Sequence, residues 1–103
     1  MAIGAWPVKN IQNATPTDTG GSTATPMSDT MNCDVGGAIF GVAYNQANEL
    51  FTWTGITEAF DGNVESGSVS MAALAFAAAQ AGLTITADTT SETNQALALA
   101  ALR

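Results

Sequence analysis

The sequence predicts an α+β protein, in which an extended N-terminal arm precedes a small β-hairpin body packed with one or two short alanine-rich helices. Three observations carry that expectation. "NATPTDTGGSTATPMSDT", residues 13–30, offers a single large apolar side chain, Met27, to any interior. "VGGAIFGVAY" and "LFTWTGI" are β-branched and aromatic runs separated by "NQANE", the pattern of two strands and a turn. "MAALAFAAAQA" and "ETNQALALAALR" are rich in alanine, the strongest helix former.

The arm is placed at residues 1–34. Its first part, "MAIGAWPVKNIQ", carries Ile3, Trp6, Val8 and Ile11 in a short span, an apolar tip that either anchors to a partner or folds back onto its own domain. The part that follows cannot bury itself. Ordering a backbone costs roughly 1–2 kcal/mol per residue, and one buried aliphatic side chain returns only about 1.5–3 kcal/mol. Proline disfavours helix in the residue before it, so Thr15 before Pro16 and Thr25 before Pro26 should be extended. A mobile arm biased towards extended geometry is the expectation.

The body is placed at residues 35–103. In its hairpin Phe40, Val42 and Tyr44 share one face of the first strand, and Phe51 and Trp53 share a face of the second. Burying those five together is the simplest arrangement. "FDGNVESGSVS" reads as a turn region. A helix over 71–81 should follow, ended by Gly82. "LTITAD" reads as a short strand, and Ser91 caps a last helix through Leu102. The leucine alternation in that segment leaves a strand open, although alanine argues for helix. On helical geometry Met71, Leu74, Phe76, Leu97, Leu99 and Leu102 do not keep to one stripe, so both helices want cover on several sides. These six are the expected oligomer interface, and a body of about seventy residues is marginal alone.

Composition narrows the function. The chain has 103 residues, nine acidic against two basic, no histidine and a net charge of −7. Nucleic-acid binding needs cations to displace counterions from phosphates, and anionic membranes make the same demand; both are set aside as partners. One cysteine, Cys33, forbids an internal disulfide, and without histidine no zinc site suggests itself. Catalysis lacks an ordinary base for a serine or cysteine nucleophile and a cationic clamp for an anion, and Asp34 beside Cys33 should raise that thiol's pKa. No cofactor is expected. The one metal-like string, "DGNVESGS", puts Asp61, Asn63 and Glu65 at the first, third and fifth positions of a calcium loop. It departs from the EF-hand in having Ser66 at position six and Ala72 at position twelve, and a solvated turn is the plainer reading. The start, "MAIGAWPVKN", has no secretory pattern, so synthesis in a cytoplasm is the expectation.

A small acidic chain with a Ser/Thr/Pro-rich start, a glycine-punctuated β segment "GGAIFGVAY…LFTWTG" and an alanine-rich end resembles the head decoration, or cement, proteins of tailed bacteriophages, the lambda-like type above all. That resemblance implies small mixed α/β domains that form trimers on the outside of the capsid, stabilise it, and reach the major capsid protein with an N-terminal arm. The arm's partner-binding residues would then be Ile3, Trp6, Val8, Ile11, Thr15, Pro16, Thr25 and Pro26. Strand addition suits a pre-extended Thr/Pro chain, which loses less entropy on binding. Two alternatives share some of this logic: another phage structural subunit, such as a head–tail connector or tail accessory protein, and a small divalent-ion module built on Asp61, Asn63 and Glu65.

Overall fold

The computed structural model describes residues 15–47, 49–64, 67–90 and 94–103, and every regular element among them is a strand. In chain order these are β1 (Asp18–Ser22), β2 (Met27–Cys33), β3 (Ala38–Asn45), β4 (Thr52–Thr54), β5 (Thr57–Val64), β6 (Gly67–Ala75), β7 (Gln80–Asp88) and β8 (Gln95–Leu102). They form two antiparallel sheets. One has five strands in the order β1-β8-β3-β6-β5, and the other three in the order β2-β7-β4. The α+β expectation is therefore corrected to an all-β fold of two facing sheets.

Alternation explains why. Along β3, Ile39, Gly41, Ala43 and Asn45 are buried while the residues between them are not. β8 repeats the pattern in register, with Leu97 opposite Ala43, Leu99 opposite Gly41 and Ala101 opposite Ile39. From the smaller sheet Met27, Met31, Cys33, Ile85 and Ala87 meet them in one core cluster, with Trp53 packed against it. Period-two burial of this kind specifies strands and fixes their register.

Each departure from expectation has a physical cause. The helix over 71–81 is replaced by the end of β6, a short link and the start of β7. Alanine's helix preference is worth less than about 1 kcal/mol per residue, and β6 gains ladder bonds on both sides, to β3 and β5. The last helix is likewise β8, held between β1 and β3. Gly82 ends no helix. Its φ of 64° belongs to a bulge, where Asn32 lies between the pairs Met31↔Leu83 and Cys33↔Gln80 and accepts the Gly82 N–H on Oδ1 at 2.9 Å. The expected strand over 83–88 is part of β7.

The expected hairpin is also redrawn. β3 pairs with β6 and β8, whereas β4 belongs to the other sheet beside β7. Phe40, Val42 and Tyr44 do share a face, but not the buried one; only Phe51 and Trp53 turn to the interior. The boundary at 34/35 is not where the fold begins. β1 and β2 lie in the two sheets, and Met27 and Met31 are among the most buried side chains. What the composition missed is that β1 and β2 need few large side chains: β1 closes one edge of a sheet with Gly20 and Gly21, and carboxylates tie it to β2 across the sandwich. Asp29 Oδ2 accepts from Gly21 N at 2.9 Å and Asp18 Oδ2 from Asn32 N at 2.8 Å.

Candidate interaction surface

The two outward faces of the sandwich are chemically opposite. On the three-stranded sheet the outward positions include Ser28, Thr30 and Asn32 on β2, Thr84, Thr86 and Asp88 on β7, and Thr52 and Thr54 on β4, exposed or half-buried. Ser28 and Thr86 hydroxyls lie 3.2 Å apart across strands. This is a hydroxyl-rich face of the kind water solvates.

The outward face of the five-stranded sheet carries almost no polar group. Its middle strand presents Phe40, Val42 and Tyr44, the last two 42% and 37% exposed. On one flank β8 presents Ala96, Ala98 and Ala100, opposite Tyr44, Val42 and Phe40 respectively. On the other β6 presents Val69, Met71 and Ala73, opposite the same three. Beyond β6, Phe60 of β5 pairs with Met71 and is 46% exposed. A Cβ on Gly62 would stand 3.2 Å from Phe60 Cζ, and one on Gly67 3.0 Å from Tyr44 Oη, so both rings lean over glycines on this face. Among the described residues no charged side chain occupies it. The acidic residues of the same sheet, Asp18, Glu58 and Asp61, sit at the alternate register positions of the inward side. Contiguous apolar surface of this extent on one side only is the ordinary mark of a protein contact.

The expected sites distribute unevenly over this framework. Of the six expected interface residues, Leu97 and Leu99 are buried in the core at 5% and 3% exposure, and Phe76 packs against it; none of the three can form an interface. Leu74 pairs with Ile39 on the inward side, although it is 38% exposed. Met71 and Leu102 do belong to the outward face, Met71 buried to 6% and Leu102 paired with Ala38. Strand periodicity put Phe40, Val42 and Tyr44 on one face, and only the pairing of β3 shows that face to be the outward one. Thr15 and Pro16 are exposed ahead of β1, and Thr25 and Pro26, joined by a cis peptide, lie in the exposed link to β2. Gln95 Nε2 donates to the Ala24 carbonyl in that link at 2.6 Å. Ile3, Trp6, Val8 and Ile11 lie outside the described residues.

The metal-like string does not assemble. Asn63 Oδ1 is taken by the Ser68 hydroxyl at 2.8 Å and Asp61 Oδ2 by the Phe51 N–H at 2.7 Å, and Glu65 lies outside the described residues. Among the described residues no three His, Cys, Asp or Glu side chains come together as a metal site. Asp61 Oδ1 is buried without a donor. Its neighbour Glu58 has a pKa pushed up by burial, by the hydrogen bond to Asp61 and by the like charge of Asp61. Cys33 is buried, and its thiol pKa is raised by burial first and by Asp34 second, which keeps it in the unreactive thiol form. The interior polar groups are structural. Trp53 Nε1 donates to Ser70 Oγ at 2.8 Å, Ser70 Oγ donates to the Phe60 carbonyl, and Asn45 Nδ2 donates to Thr89 Oγ1 at 2.8 Å.

No protein-family model, curated protein or solved structure matches the chain. Among the described residues no helix is long and apolar enough to cross a membrane.

Proposed function

We propose that the chain is a structural virion protein, a small subunit that decorates and stabilises a phage capsid by binding the outer surface of the major capsid protein. The observation that carries this reading is the asymmetry of the sandwich, with one hydroxyl-rich face suited to water and one uncharged apolar face suited to protein. A binding surface without a nucleophile–base pair or a metal cluster among the described residues fits scaffolding better than chemistry. The strong acidic balance favours a protein partner over nucleic acid or an anionic membrane.

The resemblance that suggested this role does not extend to the fold, since the lambda-like proteins imply mixed α/β domains and this body is all β. It survives as organisation: a small acidic body preceded by a short segment with apolar residues. That segment is also shorter than the composition suggested. Because β1 starts at Asp18, attachment through the N-terminus falls to residues 1–14 and to Ile3, Trp6, Val8 and Ile11 within them.

The test uses phage particles lacking the protein, mixed with full-length chain, chain without residues 1–14, or Trp6→Ala, and sedimented. Truncation should abolish co-sedimentation while leaving the β-sheet circular dichroism intact, and Trp6→Ala should weaken binding by roughly 1–3 kcal/mol. Failure of the full-length chain to bind particles removes the reading.

A further inference from the structure

We infer that the outward face of the five-stranded sheet is covered by the same face of a second copy of this chain. The inference goes beyond the role proposed above, giving the apolar face to a second copy and leaving capsid attachment to residues 1–14, and it rests on the face's own geometry.

Size comes first. Five strands spaced about 4.8 Å apart, four of them eight or nine residues long and β1 five, each residue rising some 3.3 Å, give a flat footprint of roughly 600 Å². Side-chain relief adds to it, so the buried area approaches the ~800 Å² per partner of a stable protein contact. Charge comes second. A chain of net charge −7 meets its own kind without burying a carboxylate here, because the acidic residues of this sheet occupy the inward register positions.

Shape decides the partner. The face has a central ridge, Phe40, Val42 and Tyr44 on β3, and unequal flanks. The β8 flank is a plain of alanines, whereas the β6–β5 flank carries the larger Val69, Met71 and Phe60. A twofold axis running along β3 between two facing sheets sets the bulky flank of each copy on the alanine flank of the other. The two flanks thereby match large side chains to small ones, while the β3 rows of the two copies meet each other across the axis, the like-on-like contact of an isologous interface. An unrelated protein would have to reproduce that relief independently.

Sedimentation-equilibrium ultracentrifugation of the full chain over a concentration series tests this, with circular dichroism to confirm folding. The wild type should associate. Val42→Glu should associate about a hundredfold or more weakly, because it would bury an unpaired charge. Thr84→Glu, on the hydroxyl-rich face, should behave as wild type. If Val42→Glu fails to fold, a second pair replaces it: Ala100→Lys and Ala73→Asp should each associate poorly alone and strongly when mixed, since both flank Phe40 and the axis sets Ala100 of one copy over Ala73 of the other. A wild type that stays monomeric throughout the series, or a folded Val42→Glu that associates unimpaired, overturns the inference. So does a mixed pair that shows no recovery. Because these measurements need no capsid, a monomer that still binds particles would sink the interface and leave the proposed role standing. An assembling chain that ignores particles would do the reverse.

Discussion

A methyl group at Gly41 would stand 2.9 Å from both Leu99 Cδ2 and Trp53 Cζ3, so the Trp53 ring lies against the bare backbone of the middle strand. Gly41→Ala should therefore cost about 1–3 kcal/mol through overpacking, measured by urea denaturation. The glycines of this stretch could be read in the sequence as places of close approach or bulging. That the approaching group at Gly41 is an aromatic ring from the opposite sheet could not, because Trp53 and Gly41 meet only once the sheets are stacked. Glu58 yields a second prediction. Its folded pKa lies above the ordinary 4.5, so its neutral form contributes stability that is complete below about 4.5 and fades as the pH rises through the raised value. Glu58→Gln keeps a donor and removes the charge. Its melting temperature should exceed that of the wild type at neutral pH, and the two should converge in mild acid.

β8 shows how an element can mislead. Its composition is alanine and leucine, residues that lead every helix scale, yet Leu97, Leu99 and Ala101 are buried while Ala96 and Ala98 are exposed. The alternation was visible in "QALALAAL" and outweighs propensity, because strands on both sides supply hydrogen bonds that an isolated helix could not match in burial. The same holds for β6, where Ser68, Ser70 and Ala72 face inward. Leu97→Ala and Leu99→Ala should each cost about 2–5 kcal/mol by chemical denaturation. Ala98→Ser, on the outward face of the same strand, should change the stability of the single folded subunit little. A helical reading would place Leu97 and Leu99 on different sides and predict unequal losses. Strands β3 and β4 were legible as strands; their separation into different sheets was not, because pairing over long sequence distance leaves no mark in either segment.

For the molecule as a whole, the two sheets are joined at the β1–β2 side by carboxylates as well as by the core. Asp29 accepts from Gly21 and Thr30 backbone N–H groups, and these bonds hold its pKa below the ordinary 3.8. A depressed carboxyl contributes stability that is present above its unfolded value and lost as the pH falls through the folded one. Acid should thus loosen this side of the sandwich. Asp29→Asn should be less stable than the wild type at neutral pH, and the difference should shrink as the pH is lowered below about 3.8, followed by thermal melts. At this scale the sequence pointed to a protein partner through its acidity, while the apolar outward face stayed hidden. Phe40, Val42 and Tyr44 look like core residues until the register shows which side of β3 is turned inward.

The pairing of β1 with β8, from Asp18↔Ala101 to Ser22↔Leu97, sets a timetable for synthesis. The ribosome delivers the chain from its N-terminus, yet β8, the strand that links β1 to β3, is the last of the described strands to emerge. Until residues 95–102 are free, β1 has no neighbour in its sheet and β3 lacks one of its two. The five-stranded sheet therefore cannot close before β8 has emerged, and the apolar side chains of β3 wait in solution for a strand fifty residues or more further on. Such non-local closure is slow and exposes the nascent protein to aggregation. A premature stop that removes only the last nine residues should consequently yield no soluble sandwich at all, whereas a tag placed after Arg103 leaves the closing strand intact.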